Sequence, residues 1–317
     1  MRRLIFNLLS LAFLGILSAD EPMLSHIQQL TSPEMGFEKA GEAYFSPDGK
    51  MISFQGAPLG EENYQIYTLD LKTHQMVKIS QDAGACTCSF FRPDGKKILF
   101  AASPEKAPKP IPGTYKWDLT PYMNIYEANL DGSEAIGLTY GAAYHAECAY
   151  SPDGAYIVYA SNEEGSMNIY VMKSDGTDVQ PLTSTTHCYN GGPFFSPDGS
   201  KIIFRADRDT PHFLQIYQMD RDGTHLEQLT DNQAVNWAPF WHPSGKAIAY
   251  TTSIHGHHNY QIYFLNMETG EHVQVTDKPG FNGLPTFNRE GTQMLWTSKR
   301  GTDKTSQIFI ANFKSDL

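Results

Sequence analysis

At 317 residues the chain is longer than one compact core usually supports, so it holds either two domains or a repetitive architecture. Its 40% hydrophobic and 12% aromatic content excludes a disordered chain. With 35 acidic residues against 24 Lys and Arg the net charge is −11, which argues against nucleic acid or anionic lipid as a partner, because phosphates are neutralised by basic side chains.

The first stretch, MRRLIFNLLSLAFLGILSAD, has two arginines, an apolar run centred on Leu8 to Leu17, and Ser18-Ala19 before an acid. That is the layout of a secretory signal peptide, and the run is shorter than the ~20 residues a spanning helix needs. No Cys follows the run, which speaks against a lipoprotein anchor. The expected division is a signal peptide over residues 1–19 and one domain over 20–317, located in the periplasm or secreted, without membrane insertion after cleavage. Loss of Arg2 and Arg3, with no acid, moves the charge from −11 to −13.

From there one turn recurs. YFSPDGKMISF, FFRPDGKKILF, AYSPDGAYIVY, FFSPDGSKIIF, FWHPSGKAIAY and TFNREGTQMLW end their turns at Gly49, Gly95, Gly154, Gly199, Gly245 and Gly291. The spacings are 46, 59, 45, 46 and 46 residues, the period of a β-propeller whose blades are four-stranded sheets. After each glycine, Ile or Met at the third position and an aromatic at the fifth (Ile52 and Phe54, Ile202 and Phe204) mark a strand with one buried face. Segments such as NYQIYTL and SMNIYVM supply a third strand, and endings such as GLT, PLT and QVT a fourth. In the turn, Pro presets φ, Asp bonds back to the local backbone and Gly takes the left-handed conformation.

The sixth unit stops at IFIANFKSDL without a fourth strand, while HIQQLT at residues 26–31 matches HLEQLT at 225–230. The sequence therefore predicts an all-β, six-bladed propeller in which the N-terminal strand completes the last blade and closes the ring, leaving no long unpaired edge.

The FSPDG-x-x-I-x-F and Q/N-I-Y…D-G…L-T patterns, over residues 26 to 317, resemble the TolB-like propellers. The resemblance implies a periplasmic module that binds an envelope partner. TolB itself carries an α/β domain ahead of its propeller. Here the signal-like segment leads straight to the first blade, so a stand-alone propeller is expected and a Tol–Pal role does not follow automatically.

Binding is expected on the face carrying the long, dissimilar loops between second and third strands, opposite the tight turns. The longest loop, residues 103–123, is either a stiff arm offering Tyr115 and Trp117 or a segment packed on the rim. Nine residues before the turn glycines stand Ala40, Cys86, His145, Asn190, Asn236 and Asn282, and seven before them Glu42, Cys88, Glu147, Gly192, Ala238 and Leu284. The four polar residues of the first set form either a polar mouth to the central channel or hydrogen bonds between blades. Candidate partner-binding residues are His145, Glu147, His187, Asn190, Asn236, Asn282, Glu42 and Trp117.

A second reading uses His255, His257 and His258, since His and carboxylate ligate zinc or manganese. A propeller-fold lyase acting on pectic oligosaccharides holds a metal through histidines in a broadly similar place, so the alternative is a metal-dependent polysaccharide lyase or hydrolase. No G-x-S-x-G elbow or phosphate-cradling loop is present. Glu61-Glu62 and Glu163-Glu164 are expected as solvated loop acids. Cys86, Cys88, Cys148 and Cys188 could form a bridge in an oxidising compartment, with a connectivity the sequence does not supply. The preferred reading is a monomeric, non-catalytic binding propeller without a cofactor, whose partner is an envelope protein or a carbohydrate-like ligand.

Overall fold

The computed structural model describes residues 21–81, 83–104 and 119–315. The segment expected to be a signal peptide, residues 1–19, and the loop tip bearing Tyr115 and Trp117 lie outside them. The rest forms six four-stranded antiparallel sheets, five in sequence order from the channel outward and the last with the N-terminal strand outermost. The innermost strands are Phe37–Phe45, Ala83–Phe91, His145–Tyr150, Asn190–Phe195, Asn236–Trp241 and Asn282–Phe287.

The repeated turn forms as its residues dictate. In blade 1 the Gly49 amide donates to Ser46 O at 2.9 Å with Gly49 at φ 69°, and Asp48 Oδ1 accepts from Ser46 Oγ and the Lys50 amide. The other five turn glycines have φ between 70° and 73°.

The recurring Gln or Asn before Ile-Tyr and the Thr or Ser ending each repeat also have a shared task. Thr183 Oγ accepts the Ile169 amide at 2.9 Å and donates to Asn168 Oδ1 at 2.9 Å. Ser80 with Gln65, Thr139 with Asn124, Thr230 with Gln215 and Thr276 with Gln261 repeat this pin between third strand and fourth.

In blade 6 the same pin crosses the whole chain. Thr31 donates to Gln307 Oε1 at 2.7 Å and accepts the Ile308 amide at 3.0 Å. Leu24–Gln29 pairs antiparallel with Gln307–Phe313, so the N-terminal strand is the fourth strand of the last blade. Leu24, Ile27 and Leu30 are buried there against that blade and its neighbours. Glu21, just before this strand, is held by Arg300: Nη1 donates to Oε2 at 2.7 Å, and both side chains are buried. Burial works against the charge on Glu21, but the Arg300 hydrogen bond and charge prevail and lower its carboxyl below the ordinary range.

All four cysteines are buried free thiols, so the bridge allowed by the sequence is not formed. Cys86 and Cys148 pack as small apolar side chains in core clusters, while Cys88 lies on the channel wall. Glu61-Glu62 and Glu163-Glu164 are exposed, as expected.

Candidate functional site

Every inner strand breaks its pairing at the same place. Register shifts fall at Gly41/Tyr44, Thr87/Phe90, Ala146/Ala149, Gly191/Phe194, Trp237/Phe240 and Gly283/Thr286. The first residue inside each bulge has positive φ: Glu42 49°, Cys88 56°, Glu147 56°, Gly192 59°, Ala238 49° and Leu284 58°. Such a bulge frees a residue from the ladder and re-aims its side chain, here toward the channel. The amide it frees still needs an acceptor, and the preceding blade provides one: Glu42 N donates to Thr297 Oγ1 and Leu284 N to Thr251 Oγ1, both at 3.1 Å.

Two residues below this ring, Tyr44, Phe90, Phe194 and Phe240 meet across the axis. Their ring centroids are 5.4 Å apart for Tyr44–Phe90, 6.1 Å for Phe90–Phe194 and 5.1 Å for Phe194–Phe240. They put an aromatic floor under the bulge ring. Above it a cup of about 450 Å³ is walled by the bulge residues, Tyr64, Tyr144, Tyr189 and Trp237, with Glu62 and Thr120 from second-to-third-strand loops. The cup has two sides: blades 1 to 3 contribute Glu42, Cys88 and Glu147, and blades 4 to 6 contribute Gly192, Ala238 and Leu284.

The two carboxyls differ in their neighbours. Glu147 Oε1 accepts from Arg205 Nη2 at 2.5 Å and Tyr189 OH at 2.8 Å, and Oε2 accepts the Gly192 amide at 2.6 Å. Gly191 and Gly192 keep this assembly possible, because a Cβ on either would run into the Glu147 carboxylate or the Arg205 guanidinium. Burial opposes the charge on Arg205, yet Glu147 and Tyr189 together outweigh it and raise the guanidinium above its ordinary value.

Glu42 has Tyr44 OH at 3.1 Å but, among the described residues, no ion-pair partner. Burial pushes its carboxyl up to about 7, with the Glu147 charge adding to the effect against the hydrogen bond from Cys88. A raised folded-state value means the folded protein holds a proton that the unfolded chain has released, so stability falls as pH rises from about 4.5 to about 7. Glu42→Gln is therefore expected to melt above the wild type at pH 8, with the difference closing below pH 4. Parallel melts showing the same difference at both pH values would contradict the assignment.

The sequence-predicted residues divide accordingly. Glu42 and Glu147 line the cup. Asn190, Asn236 and Asn282 are buried, and their amides rivet blades together: Asn236 Nδ2 donates to Gln215 Oε1 at 2.7 Å and Asn282 Nδ2 to Gln261 Oε1 at 3.2 Å. Asn190 Nδ2 reaches Met167 O at 3.1 Å and Thr185 Oγ1 at 2.7 Å. Of the two roles open to this register, hydrogen bonds between blades are what the asparagines make. His145 is buried at 2% exposure, and burial lowers its pKa, which keeps it neutral.

His187 is exposed on a connection between blades. His255, His257 and His258 stay on an exposed loop, where His255 shares a hydrogen bond with Tyr263 OH at 2.8 Å and His257 one with Tyr260 OH at 3.3 Å. Among the described residues no three His, Cys, Asp or Glu side chains converge as a metal site. The donor set of a metal-dependent lyase is thus not assembled by the residues proposed for it. Sequence reasoning passed over Arg205, although a charged residue stands out at a second-strand register otherwise held by Gln55, Ala101, Ala160, Thr251 and Thr297.

Fold and cup define a six-bladed β-propeller with a blind central cavity open on its loop face. The family model for the dipeptidyl peptidase IV N-terminal region matches residues 128–253. The Tol-Pal system protein TolB of Wolinella succinogenes is 23% identical over 202 residues, 61% of this chain and 43% of that one. TolB from Acinetobacter baumannii superposes with a TM-score of 0.59 at 19% identity over 88% of this chain and 64% of that one. An oligogalacturonate lyase in complex with manganese does so at 0.59 and 16% over 91% and 93%. The chain is similar to the TolB propellers in part of its sequence and in fold. It spans about two fifths of the length of the curated relatives it matches.

Proposed function

We propose that the protein is an exported, non-catalytic binding propeller of the cell envelope that receives a segment of a partner protein in the central cup. The observation that carries this reading is the cup itself: a preformed cavity with an aromatic floor, built on rigid inner strands and opening on the side of the variable loops. The relatives named for the Tol-Pal system support an envelope setting. Among the described residues no helix is long and apolar enough to cross a membrane.

A lyase reading draws on the likeness to oligogalacturonate lyase, which at 16% identity is one of fold. The cup's charges favour the binding reading. Oligogalacturonate carries a carboxylate on each sugar, whereas the one cation among the cup's described lining residues, Arg205, is already engaged by Glu147 and Tyr189.

The test is photocrosslinking in intact cells from a reactive residue at Ala238, inside the cup, and from one at Asp153, on the tight-turn face. A defined protein adduct from position 238 alone, on a mature chain beginning near Asp20, is expected. Equal adducts from both positions, or none from 238, would overturn the reading, and a glycan adduct would replace the protein partner by a carbohydrate.

A further inference from the structure

The cup's chemistry narrows what can enter it. Glu147 already accepts three different donors, from Arg205, Tyr189 and Gly192, and its charge is matched by Arg205, which leaves it little to offer a ligand. Glu42 accepts from Tyr44 and Cys88 and keeps acceptor capacity, and of the two bulge-ring carboxyls it is the one without a paired cation among the described residues. A ligand that brought another carboxylate here would meet three acids, Glu42, Glu62 and Glu147, and, among the described lining residues, one cation already in use. A ligand with an ammonium would supply the missing counter-charge.

The walls fit the rest of such a ligand. Tyr64, Tyr144, Tyr189 and Trp237 present aromatic surface around the mouth, and Ala238 and Leu284 make the side of the bulge ring that continues round to Glu42. Aromatic faces attract a cation through the ring quadrupole, and the mouth already shows this interaction, with Lys39 Nζ 4.7 Å from the Tyr64 ring centroid. A cavity of about 450 Å³ is small for a folded element and ample for one long side chain.

We infer that the cup is a receptor for an alkylammonium group, a lysine side chain of the docking segment, with the stem along Ala238 and Leu284 and the ammonium at Glu42. The inference rests on the proposed binding role of the cup and names what it recognises. It also brings a pH dependence, because an ammonium binds the ionised carboxyl. The groups facing Glu42 are Tyr44 on its own strand, Tyr64, Cys88, Tyr144, Glu147, Cys148 and Arg205. Burial raises the tyrosines and thiols among them away from neutrality, so Glu42, at about 7, is placed to set the midpoint. Affinity should rise as pH passes from 6 to 8.

The test titrates the mature propeller, by NMR or calorimetry, with Nα-acetyl-lysine N-methylamide and with Nα-acetyl-norleucine N-methylamide, which keeps the alkyl stem and lacks the ammonium. Wild type is expected to prefer the lysine compound at least about tenfold at pH 8, a difference of about 1.4 kcal/mol. Glu42→Gln should erase the preference while its melting curve shows it folded, and Leu284→Trp, which fills the cup, should reduce binding of both compounds. Equal binding of the two by wild type, no binding of either, or a preference that survives Glu42→Gln would overturn the inference. Crosslinking from position 238 with no lysine preference would leave the binding role standing and remove only the ammonium specificity, whereas loss of that crosslinking would remove the role itself.

Discussion

Deletion of residues 20–31 is expected to abolish a stable monomer. The segment contributes the outer strand of blade 6, the Thr31 pin on Gln307, the buried side chains of Leu24, Ile27 and Leu30, and the Glu21–Arg300 ion pair. Three buried aliphatic side chains alone amount to roughly 5 to 8 kcal/mol of transfer free energy. Removing Glu21 also leaves Arg300 buried without its carboxylate, a change that typically costs about 3 to 5 kcal/mol. The sum is comparable to the whole stability of an ordinary domain, about 5 to 15 kcal/mol. The strand Gln307–Phe313 would then present a free edge rich in Ile and Phe, a template for pairing between molecules. Sedimentation and thermal melting of the truncated protein check this, and a monomer melting within a few degrees of the intact chain would refute the closure argument.

The second large effect is expected at Arg205. Its guanidinium and the Glu147 carboxylate are 10% and 12% exposed, and Tyr189 bonds both. Arg205→Ala strands the Glu147 charge in the cup wall and should lower stability by about 3 to 5 kcal/mol. Arg205→Met with Glu147→Gln removes both charges and should recover most of that loss, because a neutral pair of similar volume needs no counter-ion. Denaturant unfolding of the single and double variants decides the matter. A single variant within about 1 kcal/mol of wild type would show that the pair is not the support described here.

Much of the architecture was legible because it is written locally and six times. A turn glycine, an Ile two pleats on and a Thr ending each repeat are each fixed by contacts within one blade, so repetition exposed them. Closure was legible for the same reason, since HIQQLT carries the mark of a fourth strand at the wrong end of the chain. The cup was half legible: Glu42 and Glu147 stood out by register, but the asparagines two residues earlier looked equally exposed to a channel. What separates the two sets is the bulge between them, and a left-handed backbone at Glu, Cys or Leu leaves no compositional trace. Arg205 was missed because its partner lies 58 residues away on another blade, a contact that only the ring arrangement creates.

The six bulges also limit how this protein can change. Each is an address on the channel wall that carries no ladder hydrogen bond across the inner pair, so, Glu147 and Gly192 with their tie to Arg205 apart, its side chain can be exchanged without rewriting a sheet. The alphabet at that address is restricted, since β-branched residues fit a left-handed backbone poorly, and the six present, Glu, Cys, Glu, Gly, Ala and Leu, include none. A propeller of this kind can therefore be retargeted by a six-letter word spelled around its axis, with Val, Ile and Thr struck from the spelling.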